Sequence, residues 1–155
     1  MRHLLFIVLT FNTFNLIFSQ VVFPEIITIQ QKVITINSSL SDLKKIEFQK
    51  DNLGLKKICF NDTFQKIEIF SLEATNIEKR VAWFYYNKYP IYIEKIWTDL
   101  NSCKIIDNER IYIHDMEIIL WLDFNNKAVD LTTLDNKTVC EKVISYSRNL
   151  IQNIK

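Results

Sequence analysis

Groups able to do chemistry are scarce in this chain, which holds two histidines and three cysteines in 155 residues. His3 falls in the apolar leader described below, so His114 is the one imidazole left for a mature protein. A histidine-rich metal site is thereby excluded, and a Cys–His nucleophile pair would need His114 beside Cys59, Cys103 or Cys140. His114 and its neighbour Asp115 sit between two alternating segments and read as a solvated turn; with Glu117 they offer at most a mixed cation site. The cysteine spacings match no zinc or thioredoxin pattern, and an odd number permits one disulfide at most or three buried thiols. Eighteen acidic residues are scattered, with no pair marked out for glycoside cleavage. No Gly-x-Ser-x-Gly occurs, and the single glycine, Gly54, excludes every glycine-rich phosphate cradle. The expectation is therefore no catalytic residue, no cofactor-binding residue, no metal site and no enzyme.

The elements that would hold these groups are readable from periodicity. Met1–Ser19 has a cationic start, an apolar run from Leu4 and a small residue before Gln20, the parts of a cleavable signal peptide. Residues 20–155 are then expected to form one domain, secreted or periplasmic, whose cysteines oxidise only where two of them meet. Loss of Arg2 brings 19 Lys+Arg level with 18 Asp+Glu, and charges alternate without blocks. Neither a nucleic-acid footprint nor a polybasic membrane surface fits that pattern, and no later stretch is apolar enough to span a bilayer.

Pro24 to Asn37 carries Ile26, Ile29, Val33 and Ile36 at helical spacing, with Pro24 and Glu25 suited to a first turn. A short helical turn is expected around Leu40 to Lys45. From Lys56 the period falls to two, giving strands at about 57–60, 64–72, 78–87, 91–99, 110–113 and 116–124. Their inward sets include Val81, Trp83 and Tyr85; Ile91, Ile93 and Trp97; and Met116, Ile118, Leu120, Leu122 and Phe124. A last helix is expected from an Asp135 N-cap to Ile154, through Val139, Val143, Tyr146 and Leu150. The class is α+β: an antiparallel meander of about six strands with an N-terminal and a C-terminal helix packed on it. Sequons stand at Asn37, Asn61 and Asn136.

If alternation holds, the second face of the meander carries Phe84, Tyr86, Tyr92, Arg110, Tyr112 and Trp121. Tyr, Trp and Arg are favoured interface anchors, so this face is the candidate interaction surface. A slip of one residue would reverse every assignment.

The hairpin from Asn108 to Lys127, with Glu109-Arg110-Ile111-Tyr112-Ile113 and Ile119-Leu120-Trp121-Leu122-Asp123, resembles small exported proteins of Bacteroidetes-type bacteria, whose function is uncharacterised. The aromatic hairpin from Lys79 to Lys95 and the leader ending Phe18-Ser19-Gln20 are similar to theirs as well. The resemblance implies a compact exported β-sheet protein and assigns no functional residue. That group turns its hairpins on Asn-Gly or Asp-Gly, which this chain lacks. The functional expectation is a non-enzymatic envelope or secreted binding protein for a protein, peptide or glycan, with no nucleic acid and no stable membrane insertion. The alternatives are a secreted effector or enzyme inhibitor, or a small hydrolase.

Overall fold

The computed structural model describes residues 24–50 and 54–152. The expected leader, Met1–Ser19, lies outside the described residues. Among the described residues, a seven-stranded antiparallel sheet in simple sequential order lies between two helices, one on each face.

The first helix, α1, runs Pro24–Ser38. It is rich in Ile, Val and Thr, which lose side-chain freedom in a helix. Burial overrides that preference: Ile26, Ile29 and Ile36 are buried against the sheet and Val33 packs beside them. The exposed side is closed by threonines that bond back to the preceding turn, Thr28 Oγ1 to the Pro24 carbonyl (3.0 Å) and Thr35 Oγ1 to the Gln31 carbonyl (2.9 Å).

Seven strands follow: β1 (Lys44–Lys50), β2 (Gly54–Phe60), β3 (Phe64–Ala74), β4 (Ile77–Tyr86), β5 (Tyr89–Asp99), β6 (Lys104–His114) and β7 (Glu117–Leu122). The extra strand is β1. Where a helical turn was expected near Leu40 to Lys45, a turn ends at Leu43, and the alternating Lys-Lys-Ile-Glu-Phe-Gln-Lys pairs along all of β2. The stretch expected as a loop, 101–108, is mostly strand, because β6 begins at Lys104.

Strand parity is broken by irregularities that hydropathy alone does not show. On β5, Phe84 faces Tyr92 but Tyr85 faces Pro90, so Ile91 is an extra residue in the ladder. On β7, Tyr112 faces Leu120 but Ile113 faces Ile118, so Ile119 is the extra one. A bulge shifts the side-chain alternation by one. Ile91 therefore joins the α1 side while Ile93 stays opposite, and Ile118 is separated from Leu120 and Leu122. The expected single-face sets for these two strands are corrected accordingly.

The second helix, α2, runs Leu134–Gln152. Its cap is Thr133, not Asp135: the Thr133 hydroxyl accepts the Asn136 N–H (3.3 Å), and the Thr133 carbonyl accepts that of Lys137 (3.0 Å). Leu150, Val143, Ile144 and Ile151 pack on Ile58, Ile67, Trp83, Ile93 and Ile111. Ser147 is fully buried, a small residue that lets the helix approach the sheet, and its carbonyl accepts the Tyr85 hydroxyl at 2.8 Å. The fold is thus α+β, with a meander flanked by an N-terminal and a C-terminal helix. No helix among the described residues is long and apolar enough to cross a membrane.

Candidate functional site

Five of the six aromatic-face residues do share one side of the sheet. Lys66, Phe84, Tyr92, Tyr112 and Leu120 are successive partners across β3 to β7, and Arg110 stands one row further along. That side, however, lies under α1. Phe84 is 1%, Tyr92 7% and Tyr112 3% exposed, and Tyr86 is half-buried against Phe64. Gln30 of α1 donates to the Tyr112 hydroxyl (3.3 Å), and the Lys32 ammonium sits 4.1 Å from the Tyr86 ring centre. Trp121 belongs to the opposite side, packed with the α2 core, because the Ile119 bulge reverses its parity. The aromatic face from Phe84 to Tyr112 is core.

Beyond the end of α1 the same side continues as an ion ladder. The buried Lys66 ammonium reaches Asn37 Oδ1 (3.0 Å) and Glu68 (3.1 Å), and Arg80 reaches Glu94 (2.8 Å). Arg110 bonds Asn126 through one guanidinium nitrogen, while its buried Nε lacks a partner. Alternating signs along this row neutralise one another in charge, although the buried Nε of Arg80, like that of Arg110, has no hydrogen-bond partner. Asn37 is thereby engaged, as is Asn136, whose amide donates to the Asp130 carbonyl (2.7 Å).

Cys59, Cys103 and Cys140 are free thiols on β2, in the β5–β6 turn and on α2. Burial raises the thiol pKa of both Cys59 and Cys140, a shift away from nucleophilic thiolate. His114 Nε2 lies 3.4 Å from Asp115, both well exposed, and the cleft they line contains no cysteine or serine among the described residues. No group of three His, Cys, Asp or Glu among the described residues could hold a metal ion.

The informative geometry lies at one end of the sheet. A meander puts alternate connections at the same end, so β2–β3, β4–β5 and β6–β7 turn together there. The last two are two-residue hairpins with both central residues left-handed: Asn87 (φ 50) and Lys88 (φ 68), then Asp115 (φ 47) and Met116 (φ 68). That is the turn Asn-Gly and Asp-Gly make without strain. Here Lys88 and Met116 occupy the glycine position, each at a cost of about 1–2 kcal/mol for an L-residue in this region.

Three clefts surround these tips, of about 650, 710 and 830 Å³, and Met116 lines all of them. The first separates β7 from α2. The second runs beside the start of α1, past Tyr86 and His114. The third lies on the other side of the tips, between Phe60, Gln65, Lys88 and the last turns of α2. Asn87, Tyr89 and Pro90 line both the second and the third, and Tyr89 is 63% exposed between them. Volumes of this order suit small ligands or short peptide segments.

Sequence reasoning placed turns at 87–90 and at 114–115 but singled out none of Lys88, Tyr89, Met116 or Arg148 as functional. The signal was present: two alternating runs joined by two residues demand left-handed backbone, and a long side chain at the second position is conspicuous there. No family model, curated protein or solved structure matches the chain.

Proposed function

We propose that this chain is an exported, non-enzymatic binding protein that takes its ligand at the hairpin-tip end of the sheet. One observation carries the reading: Lys88 and Met116 hold left-handed backbone that glycine would adopt freely, where three clefts converge. Strain retained at a fixed position is the usual mark of side chains kept for contact instead of stability. The exposed Tyr89 supplies an aromatic body with a polar tip at the junction, the kind of anchor binding surfaces favour. The leader sequence supports export, and the lack of a paired nucleophile and base among the described residues supports binding over turnover.

The test is native mass spectrometry of the exported chain, alone and after incubation with metabolite and peptide pools. A bound mass that disappears in Tyr89→Ala and in Met116→Gly, with the melting temperature held or raised, supports the site. Ligand loading unchanged in both variants places binding elsewhere and overturns the reading.

A further inference from the structure

Of the three clefts only the third has an excess of cationic lining groups: the first sets Lys137 and Arg148, the latter shared with the third, against Glu117 and Glu141, and the second sets Lys32 against Glu25 and Asp115. Lys88 and Arg148 reach it from the β4–β5 tip and from α2, and neither forms an ion pair with a described residue. Asp62, on the same wall, offsets one of these charges, leaving one net positive charge for a monoanion. Phe60, Tyr89 and Ile151 give it apolar surface.

Its wall also holds an orphaned acceptor. Gln65 is 5% exposed, and its amide nitrogen donates to the Asn61 carbonyl at 2.9 Å. That bond fixes which end of the amide is oxygen, since a flip would set two acceptors against each other. The Gln65 oxygen is then left buried without a donor. A native buried acceptor with no partner calls for an explanation, and a ligand N–H supplies one. The oxygen is shut off from solvent.

Resting on the hairpin-tip reading above, we infer that this cleft widens to bind a carboxylate with an adjacent amide N–H and an apolar side chain. The carboxylate lies against Arg148 and Lys88, the N–H donates to Gln65, and the side chain packs on Phe60, Tyr89 and Ile151. Two sources carry this chemistry: a free N-acylated amino acid and the carboxy-terminus of a peptide.

Isothermal titration of the full chain tests it with four probes. These are N-acetylphenylalanine, its N-methyl analogue, and a hexapeptide ending in phenylalanine with either a free or an amidated terminus. The free-carboxylate probes bind, and amidation weakens the peptide about tenfold or more, as expected when a charged hydrogen bond is lost. N-methylation weakens binding to the native chain but not further in Gln65→Met, and Arg148→Met reduces the preference for free carboxylate. Equal affinity for both free-carboxylate probes identifies the single amino acid as the recognised unit; a tighter peptide identifies a chain end. No binding of any probe at millimolar concentration, or equal binding of the amidated peptide, overturns the inference. If Tyr89-dependent ligand mass persists in that event, the hairpin-tip site stands and only its ligand class falls.

Discussion

Replacing Lys88 by glycine isolates the strain on which the functional reading depends. Lys88 is exposed, so its removal deletes no core packing, and its φ of 68 stays fixed by the two-residue hairpin between β4 and β5. Relief of the left-handed penalty returns about 1–2 kcal/mol, and the extra freedom of glycine in the unfolded chain takes back about 0.5–1 kcal/mol. The net expectation is a gain of about 0.5–1 kcal/mol, with the melting temperature raised by roughly 1–4 °C. Lys88→Ala is the control: it removes the same amine but keeps the Cβ, so the gain should be absent. Urea titration of the three proteins, with the m-value held constant, measures the difference. A glycine variant less stable than the native chain, or an alanine variant equally stabilised, would show that the backbone here is not strained and refute the reasoning.

Three further outcomes follow from the packing. Phe84→Ala should cost about 3–5 kcal/mol, as a core truncation does and a surface change does not; chemical denaturation checks it. Ser147→Val should cost about 1–3 kcal/mol by forcing α2 off the sheet, measured the same way. Burial, with Tyr146 adding to it, pushes the Tyr85 hydroxyl far above the ordinary tyrosine range. A raised folded-state pKa means that this contribution to stability is complete below about pH 10 and is lost as pH rises beyond it. Tyr85→Phe should therefore lose about 0.5–1.5 kcal/mol at neutral pH through the missing bond to Ser147, yet show a shallower alkaline decline. Denaturation midpoints across the alkaline range decide this, and an unchanged slope would contradict it.

The meander and both helices were legible because their signals are long. Strands β3 to β5 alternate over ten or eleven residues, and α1 and α2 present apolar stripes at helical spacing, whereas of β6 only 110–113 was legible because Ile105-Ile106-Asp107-Asn108-Glu109 does not alternate. Strand β1 was missed although Lys-Lys-Ile-Glu-Phe-Gln-Lys alternates, since seven mostly polar residues carry little hydrophobic contrast. Face assignments failed where a bulge intervened. Trp121 crosses to the α2 side through Ile119, and nothing in the local composition marks Ile119 as the extra residue. The aromatic face was correctly grouped from Phe84 to Tyr112, but its coverage by α1 is a tertiary fact. Tyr and Arg are as useful beneath a helix as at an interface, so residue type alone did not separate the two. The hairpin-tip clefts depend on which strand ends meet, and become visible only once the sheet order is known.

Site-specific photo-crosslinking tests the central claim most directly. A photoreactive residue is placed at Tyr89, at the hairpin tips, or at Ile105, exposed at the far end of the sheet, in cells that express the full chain. Adducts are then read by mass after irradiation. Adducts formed from position 89 and not from 105, and lost when Met116→Gly is added, are the result expected of a hairpin-tip binding protein. Adducts formed equally from both positions, or only from 105, would contradict it.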